Sequence, residues 1–328
     1  MKKMLSFLLV MVLLCSSLMG CNNSDTGANS IANSGTDQKK GKSNGQNYKF
    51  GLTIQTMDNN HWLRLIEGLE SVKRDGDELI VLNAEYDTNK QITQLEDLIA
   101  QGCDVIFYVA VDGAAIRPGL QAVKEAGIPA IAIDIEADSR NETTAVVVTD
   151  NFQAGVIKGE AFMEESGGNA KVGLLGFTAV APARLREDGF RSVIEGAEGV
   201  EIVTYQEAFP NVEDALPVLE NMLQAQPGIT DFVCINDLQA LAAVQVCKAQ
   251  NRPDIRIYGV DGNPDAVNAI LAGQMTGTSA QFPGKEGSTA MEIAYKILAG
   301  EDFEVENLIP CEWINKDNGQ KYLDSLGK

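Results

Sequence analysis

Several places in this chain put a planar amide, a carboxylate, a guanidinium or an aromatic ring just after a short apolar run. Asn59, His61 and Trp62 follow residues 49–54, Asp134 follows 130–133, and Arg184 ends the loop after 171–175. Asn236 follows 232–235, Asp261 follows 255–260, and Gln281 follows 278–280. Carboxylates and amides are bidentate partners for vicinal hydroxyls, and a guanidinium supplies a planar fork of donors. Trp62, or His61 beside it, can cover the apolar C–H face of a ring. These residue types together suit a small polyhydroxylated ring, which is the chemistry of a sugar. Such a site discriminates well, because an analogue lacking one hydroxyl leaves a buried group unpaired. Asp150-Asn151 and Asp237 read instead as helix caps. Arg184 and Arg186 lie two apart and cannot share a helix face. We assign Arg184 to the ligand and Arg186 to a structural pair.

The apolar runs that carry these residues are strands in an alternating α/β pattern. Residues 49–54, 79–83, 105–109 and 130–133 are Val- and Ile-rich strand patterns, separated by segments with apolar residues at helical spacing. The third of those helices is expected over 114–126. The rhythm restarts after Asp150, with strands expected at 171–175, 202–205, 232–235 and 255–260 and helices near 152–165, 184–195, 213–225 and 238–250. Such βαβ series build parallel sheets. We therefore expect two Rossmann-like α/β lobes. In open parallel sheets ligands bind beyond the carboxyl ends of the strands, so the polar residues above would face a cleft between the lobes. Residues 276–328 are too short for a third domain and are expected to add elements back to both lobes.

The first residues read as an export leader. Lys2 and Lys3 precede an apolar run over residues 5–14 that is too short to span a bilayer. Leu18-Met19-Gly20-Cys21 resembles a bacterial lipobox, in which Cys21 becomes the lipidated first residue. The next stretch, to residue 46, is rich in Asn, Ser, Gly and Lys with almost no apolar side chains, the composition of a flexible tether.

Composition excludes other classes. The formal net charge of −20 argues against nucleic acid, whose phosphates need clustered Lys and Arg. His61 is the chain's one histidine, and no nucleophile elbow, dinucleotide fingerprint or Walker A motif is present. We expect no catalysis, no cofactor and no metal site. Cys103, Cys234, Cys247 and Cys311 show no metal-ligand spacing and read as buried free thiols.

The order and spacing of several short stretches resemble those of the ribose/galactose-type (type I) periplasmic binding proteins, from about Tyr48 to the C-terminus. The stretches are Asn59-Asn60-His61-Trp62, residues 94–102, Glu125-Ala126-Gly127-Ile128-Pro129, Thr149-Asp150-Asn151, Arg186-Glu187-Asp188-Gly189-Phe190, Asn236-Asp237, Gly259-Val260-Asp261-Gly262 and Gln281. The resemblance implies two lobes joined by a three-strand hinge. The N-terminal lobe would comprise residues 47–149 and 282–310, and the C-terminal lobe 150–281 and 311–328. The leader would be 1–20 and the tether 21–46. Crossovers are expected near 149–151, 280–282 and 310–313. The resemblance also implies that Asn59, His61, Trp62, Asp134, Arg184, Asn236, Asp261 and Gln281 contact a small sugar. The partners implied are an ABC permease, the membrane through a lipid on Cys21, and no nucleic acid, with the protein a monomer. Where the ribose-binding pattern has Arg after the first Asp, this chain has Ile135, and one aromatic of the first loop is His61. A further aromatic is expected near Phe209. An alternative implied role is sensory, presenting a ligand such as a furanosyl signalling molecule to a chemoreceptor or sensor kinase.

Overall fold

The computed structural model describes residues 47–58 and 60–326. Asn59 and the expected leader, lipobox Cys21 and tether lie outside them. Two six-stranded sheets form the frame. The first holds β1 (Lys49–Ile54), β2 (Glu78–Asn83), β3 (Val105–Tyr108), β4 (Ala130–Ile133) and β5 (Ala145–Thr149). The second holds β6 (Ala170–Gly176), β7 (Val200–Glu207), β8 (Asp231–Cys234), β9 (Arg256–Asp261) and β10 (Gly277–Ala280). β11 (Glu306–Ile309) joins the first sheet beside β5, and β12 (Glu312–Ile314) joins the second beside β10. The orders are β11-β5-β4-β3-β1-β2 and β12-β10-β9-β8-β6-β7. All pairings are parallel except β10–β12. In each sheet the order reverses beside its first strand, which is where crevices open in doubly wound folds.

The central strands are fully buried, as expected of parallel strands covered on both faces. Helices α1 (Asn60–Val72), α2 (Thr88–Ala100) and α3 (Arg117–Glu125) follow the early strands of the first sheet. In the second, α4 (Asn151–Ser166), α5 (Ala181–Ile194), α6 (Val212–Ala225), α7 (Asp237–Ala249) and α8 (Pro264–Leu271) alternate with strands. α9 (Pro283–Ala299) starts just after β10 of the second sheet yet packs on α1, β4 and β5 of the first. α10 (Gly319–Leu326) packs on α8. The chain thus passes between sheets after β5, after β10 and after β11.

The helix pairs that flank these passages approach closely at glycine. A Cβ on Gly155 of α4 would collide with the Arg186 carbonyl of α5, and one on Gly287 of α9 would collide with the Leu65 carbonyl of α1. α3 begins three residues later than its periodicity suggests, because the Asp112 carboxylate accepts from the backbone N–H of Ala114 and Ala115 and holds a turn there. All four described cysteines are free and buried. Among the described residues no helix is long and apolar enough to cross a membrane.

Candidate functional site

Each sheet presents a carboxylate at its carboxyl end. Asp134 comes directly after β4, and Asp261 is the last residue of β9. Both hold positive φ, 61° and 132°, which L residues rarely adopt. Backbone strain of this kind persists where surrounding contacts over-determine it. His61 Nε2 lies 2.5 Å from Asp134 Oδ2. Asp261 Oδ1 accepts from Gln281 Nε2 at 2.7 Å and Arg186 Nη1 at 3.0 Å. Both bonds fall on the same oxygen. The strand register explains Gln281: Ala280 pairs with Asp261 across β9 and β10, and the Gln281 backbone N–H donates to the Asp261 carbonyl.

Arg186 is a junction. Its Nε donates to Asn151 Oδ1 at 2.8 Å, and Nη1 reaches the Ile235 carbonyl as well as Asp261. It therefore ties α5 to the start of α4 and to the ends of β8 and β9. Arg184, two residues earlier, is exposed and donates to the Thr178 carbonyl at 2.6 Å. The structure does not bring Arg184 to the Asp261 cluster. Asn236 is the N-cap of α7, accepting from Gln239 N–H, while its Nδ2 donates to the Pro210 carbonyl. The cap expected at Asp237 thus falls one residue earlier. Asp237 is fully buried and braces the turn after Asp261 by accepting from Asn263 N–H and the Thr278 hydroxyl. Burial, then the charge of Asp261, raises the Asp237 pKa well above the usual carboxylate range.

Trp62 is 6% exposed and packs in the apolar cluster of the first lobe, with its ring edge-on to His61. It backs His61 more than it faces solvent. In the second lobe Phe209 is exposed and makes an edge contact with Phe177, which follows β6. This pair stands beyond the carboxyl ends of β6 and β7; the sequence marked only the neighbourhood of Phe209, because nothing in the run after β6 sets Phe177 apart.

A residue with no earlier assignment is Glu286, in the first turn of α9. It is fully buried, and its Oε1 accepts from the Thr149 hydroxyl at 2.5 Å. Burial and the nearby Asp134 push its carboxyl up to about 8. His61 is shifted in turn: burial works to lower its pKa, but Asp134, with Glu286 and Asp261 behind it, more than offsets this and leaves it raised. The signal for Glu286 was present in sequence as an acid on the inward stripe it shares with Ala290, Ile293 and Ala294 of α9.

Comparisons with known proteins show the family and the fold. The family described as periplasmic binding protein domain matches residues 50–302. The ribose import binding protein of Bacillus subtilis is 31% identical over 260 residues, covering 79% of this chain and 84% of that protein. The D-apiose import binding protein of Paraburkholderia graminis is 30% identical over 249 residues, covering 75% and 80%. Among solved structures, an ABC transporter periplasmic solute binding protein from Actinobacillus succinogenes with bound D-allose superposes with a TM-score of 0.76. It is 26% identical and covers 84% of this chain and 100% of its own.

Proposed function

The chain belongs to the periplasmic binding protein family, and on that premise we propose that it captures a monosaccharide or related polyol between its lobes and delivers it to an ABC importer. One observation carries the reading. Asp134 and Asp261 stand at the carboxyl ends of opposite sheets, each in a strained backbone conformation and each oriented by a neighbouring donor. Such carboxylates are suited to vicinal hydroxyls approached from two sides. The relatives that import ribose and D-apiose, and the D-allose bound to the Actinobacillus protein, support a sugar-sized ligand. They also favour import over a sensory role, and the family binds its ligands rather than converting them.

The ligand set we propose is Asn59, His61, Trp62 and Asp134 from one lobe with Asn236 and Asp261 from the other, and Gln281 beside the crossover; Arg186, which reaches Asp261, takes the place expected of the exposed Arg184. In this set Trp62 acts mainly by supporting His61, and Phe209 offers an aromatic surface. The bodies that close are residues 47–149 with 282–310, and 150–281 with 311–328. A ligand that contacts both favours the closed state by its differential affinity. The permease then reads the closed shape. We further propose that the protein is a monomer outside the cytoplasm, anchored by lipid on Cys21.

A thermal-shift screen against pentoses, hexoses, polyols and nucleosides tests the ligand class, since a ligand of the native state raises the melting temperature by mass action. The reading expects a concentration-dependent rise with a monosaccharide or polyol. A rise with nucleosides alone would overturn the ligand class and leave the fold untouched.

A further inference from the structure

Glu286 is not explained by a sugar site alone. An ionisable side chain that is fully buried is normally paired at every oxygen. Thr149 serves Oε1, but Oε2 is buried and has no hydrogen-bond partner among the described residues. Next to it lie an imidazole and a second carboxylate. One ligating atom each from His61, Asp134 and Glu286 falls within 4.8 Å of the others. Two carboxylates this close, in a poorly hydrated place, repel each other strongly.

We propose that His61, Asp134 and Glu286 bind one divalent transition-metal ion of the zinc class. The donor set is one imidazole nitrogen and two carboxylate oxygens. Three protein ligands of these types with a further position left open is a familiar zinc arrangement, whereas calcium and magnesium favour all-oxygen shells. Metal–ligand distances of about 2.0–2.2 Å put the donors of a tetrahedral site about 3.3–3.6 Å apart, so side-chain rotations that draw the three donors inward close the sphere. In doing so His61 and Asp134 exchange their mutual hydrogen bond for the cation, and Oε2 of Glu286 gains the partner it lacks. The Thr149 hydroxyl on Oε1 is the outer contact that holds the carboxylate's orientation.

The three donors come from α1, from the turn after β4 and from the first turn of α9. The ion would join elements that lie next to two of the passages between the sheets. No spacing pattern announces such a site in the sequence, because its donors are far apart along the chain.

The test is isothermal titration of the tag-free full chain with Zn2+ after stripping with EDTA. The expected result is one saturable site per chain. Glu286→Gln and His61→Gln should each weaken it by at least about tenfold with unchanged circular dichroism, and Thr149→Val should weaken it measurably. Ca2+ should bind far more weakly. No saturable Zn2+ binding would overturn the proposal. So would equal affinity in both variants, which would mean an ion held by surface carboxylates, and so would Ca2+ binding as tight as Zn2+. If Glu286→Gln does not fold, His61→Gln decides alone, because the His61 side chain is 19% exposed whereas Glu286 is fully buried. The titration uses no sugar, so a failure of the sugar reading leaves this result interpretable.

Discussion

Asp261→Asn is the most informative substitution. Oδ1 of Asp261 already receives Gln281 at 2.7 Å and Arg186 at 3.0 Å. Neither bond uses Oδ2, so the second oxygen is the one available to a ligand hydroxyl. Asn keeps the shape of the side chain, and its Oδ1 can still accept from Gln281 and Arg186, so the contacts around the backbone at φ 132° are kept. What is lost is the charge. A hydrogen bond to an ionised group is worth about 1.5–3 kcal/mol, which corresponds to roughly a ten- to hundredfold weaker sugar affinity. Folding should suffer less. The pair is partly solvated, with side chains 11% and 18% exposed, and Arg186 keeps its bonds to Asn151 and the Ile235 carbonyl. Isothermal titration gives the affinity, and urea denaturation of the free protein gives the stability. A folded variant with wild-type affinity would remove Asp261 from the ligand set and refute this reasoning.

Three further outcomes follow from the same structure. Lys158 is buried and donates to the Cys234 carbonyl, and burial pushes its pKa down to about 8 from 10.5. Between those values the unfolded chain holds a proton the folded chain has shed, so its contribution to stability rises with pH there and is at its least below pH 8. Against Lys158→Met, the wild type should gain about 3 kcal/mol across that window, measured as paired denaturation curves; a constant difference would contradict it. Gly155→Val should destabilise by several kcal/mol in thermal unfolding, because the added carbons meet the Arg186 carbonyl and α4 and α5 cannot both keep their places. Phe209→Ala should weaken sugar binding by a factor of about five to ten, on the scale of an aromatic contact of about 1 kcal/mol, with an unchanged melting point; the opposite pattern would make Phe209 a structural residue.

The fold was largely legible because parallel strands are short, apolar and separated by amphipathic helices. β4 begins and ends where the run Ala130–Ile133 does. β5 did not stand out from sequence, although Ala-Val-Val-Val-Thr has the right composition, since the polar stretch before it carries no helix longer than one 3-10 turn. β11 and β12 are three or four residues long and half-exposed, and their pairing depends on strands far away in the chain. The places of Asp134, Asp261 and Gln281 were readable because each stands at the end of a clear strand. The two arginines show the limit. Spacing separates Arg184 from Arg186, but only the packing of α4 on α5 shows that Arg186 turns toward Asn151 and Asp261. The stripe of α9 marks Glu286 as inward-facing but does not show what it meets, for a related reason. Its partners Thr149, His61 and Asp134 come together only because the chain returns to the first sheet after β10.

The central claim is that a sugar draws two lobes together. Small-angle X-ray scattering of the protein with and without saturating amounts of its best sugar tests it most directly. The account predicts a smaller radius of gyration and a shorter maximum dimension in the bound state. Superimposable profiles at full saturation would contradict closure as the signal that the importer reads.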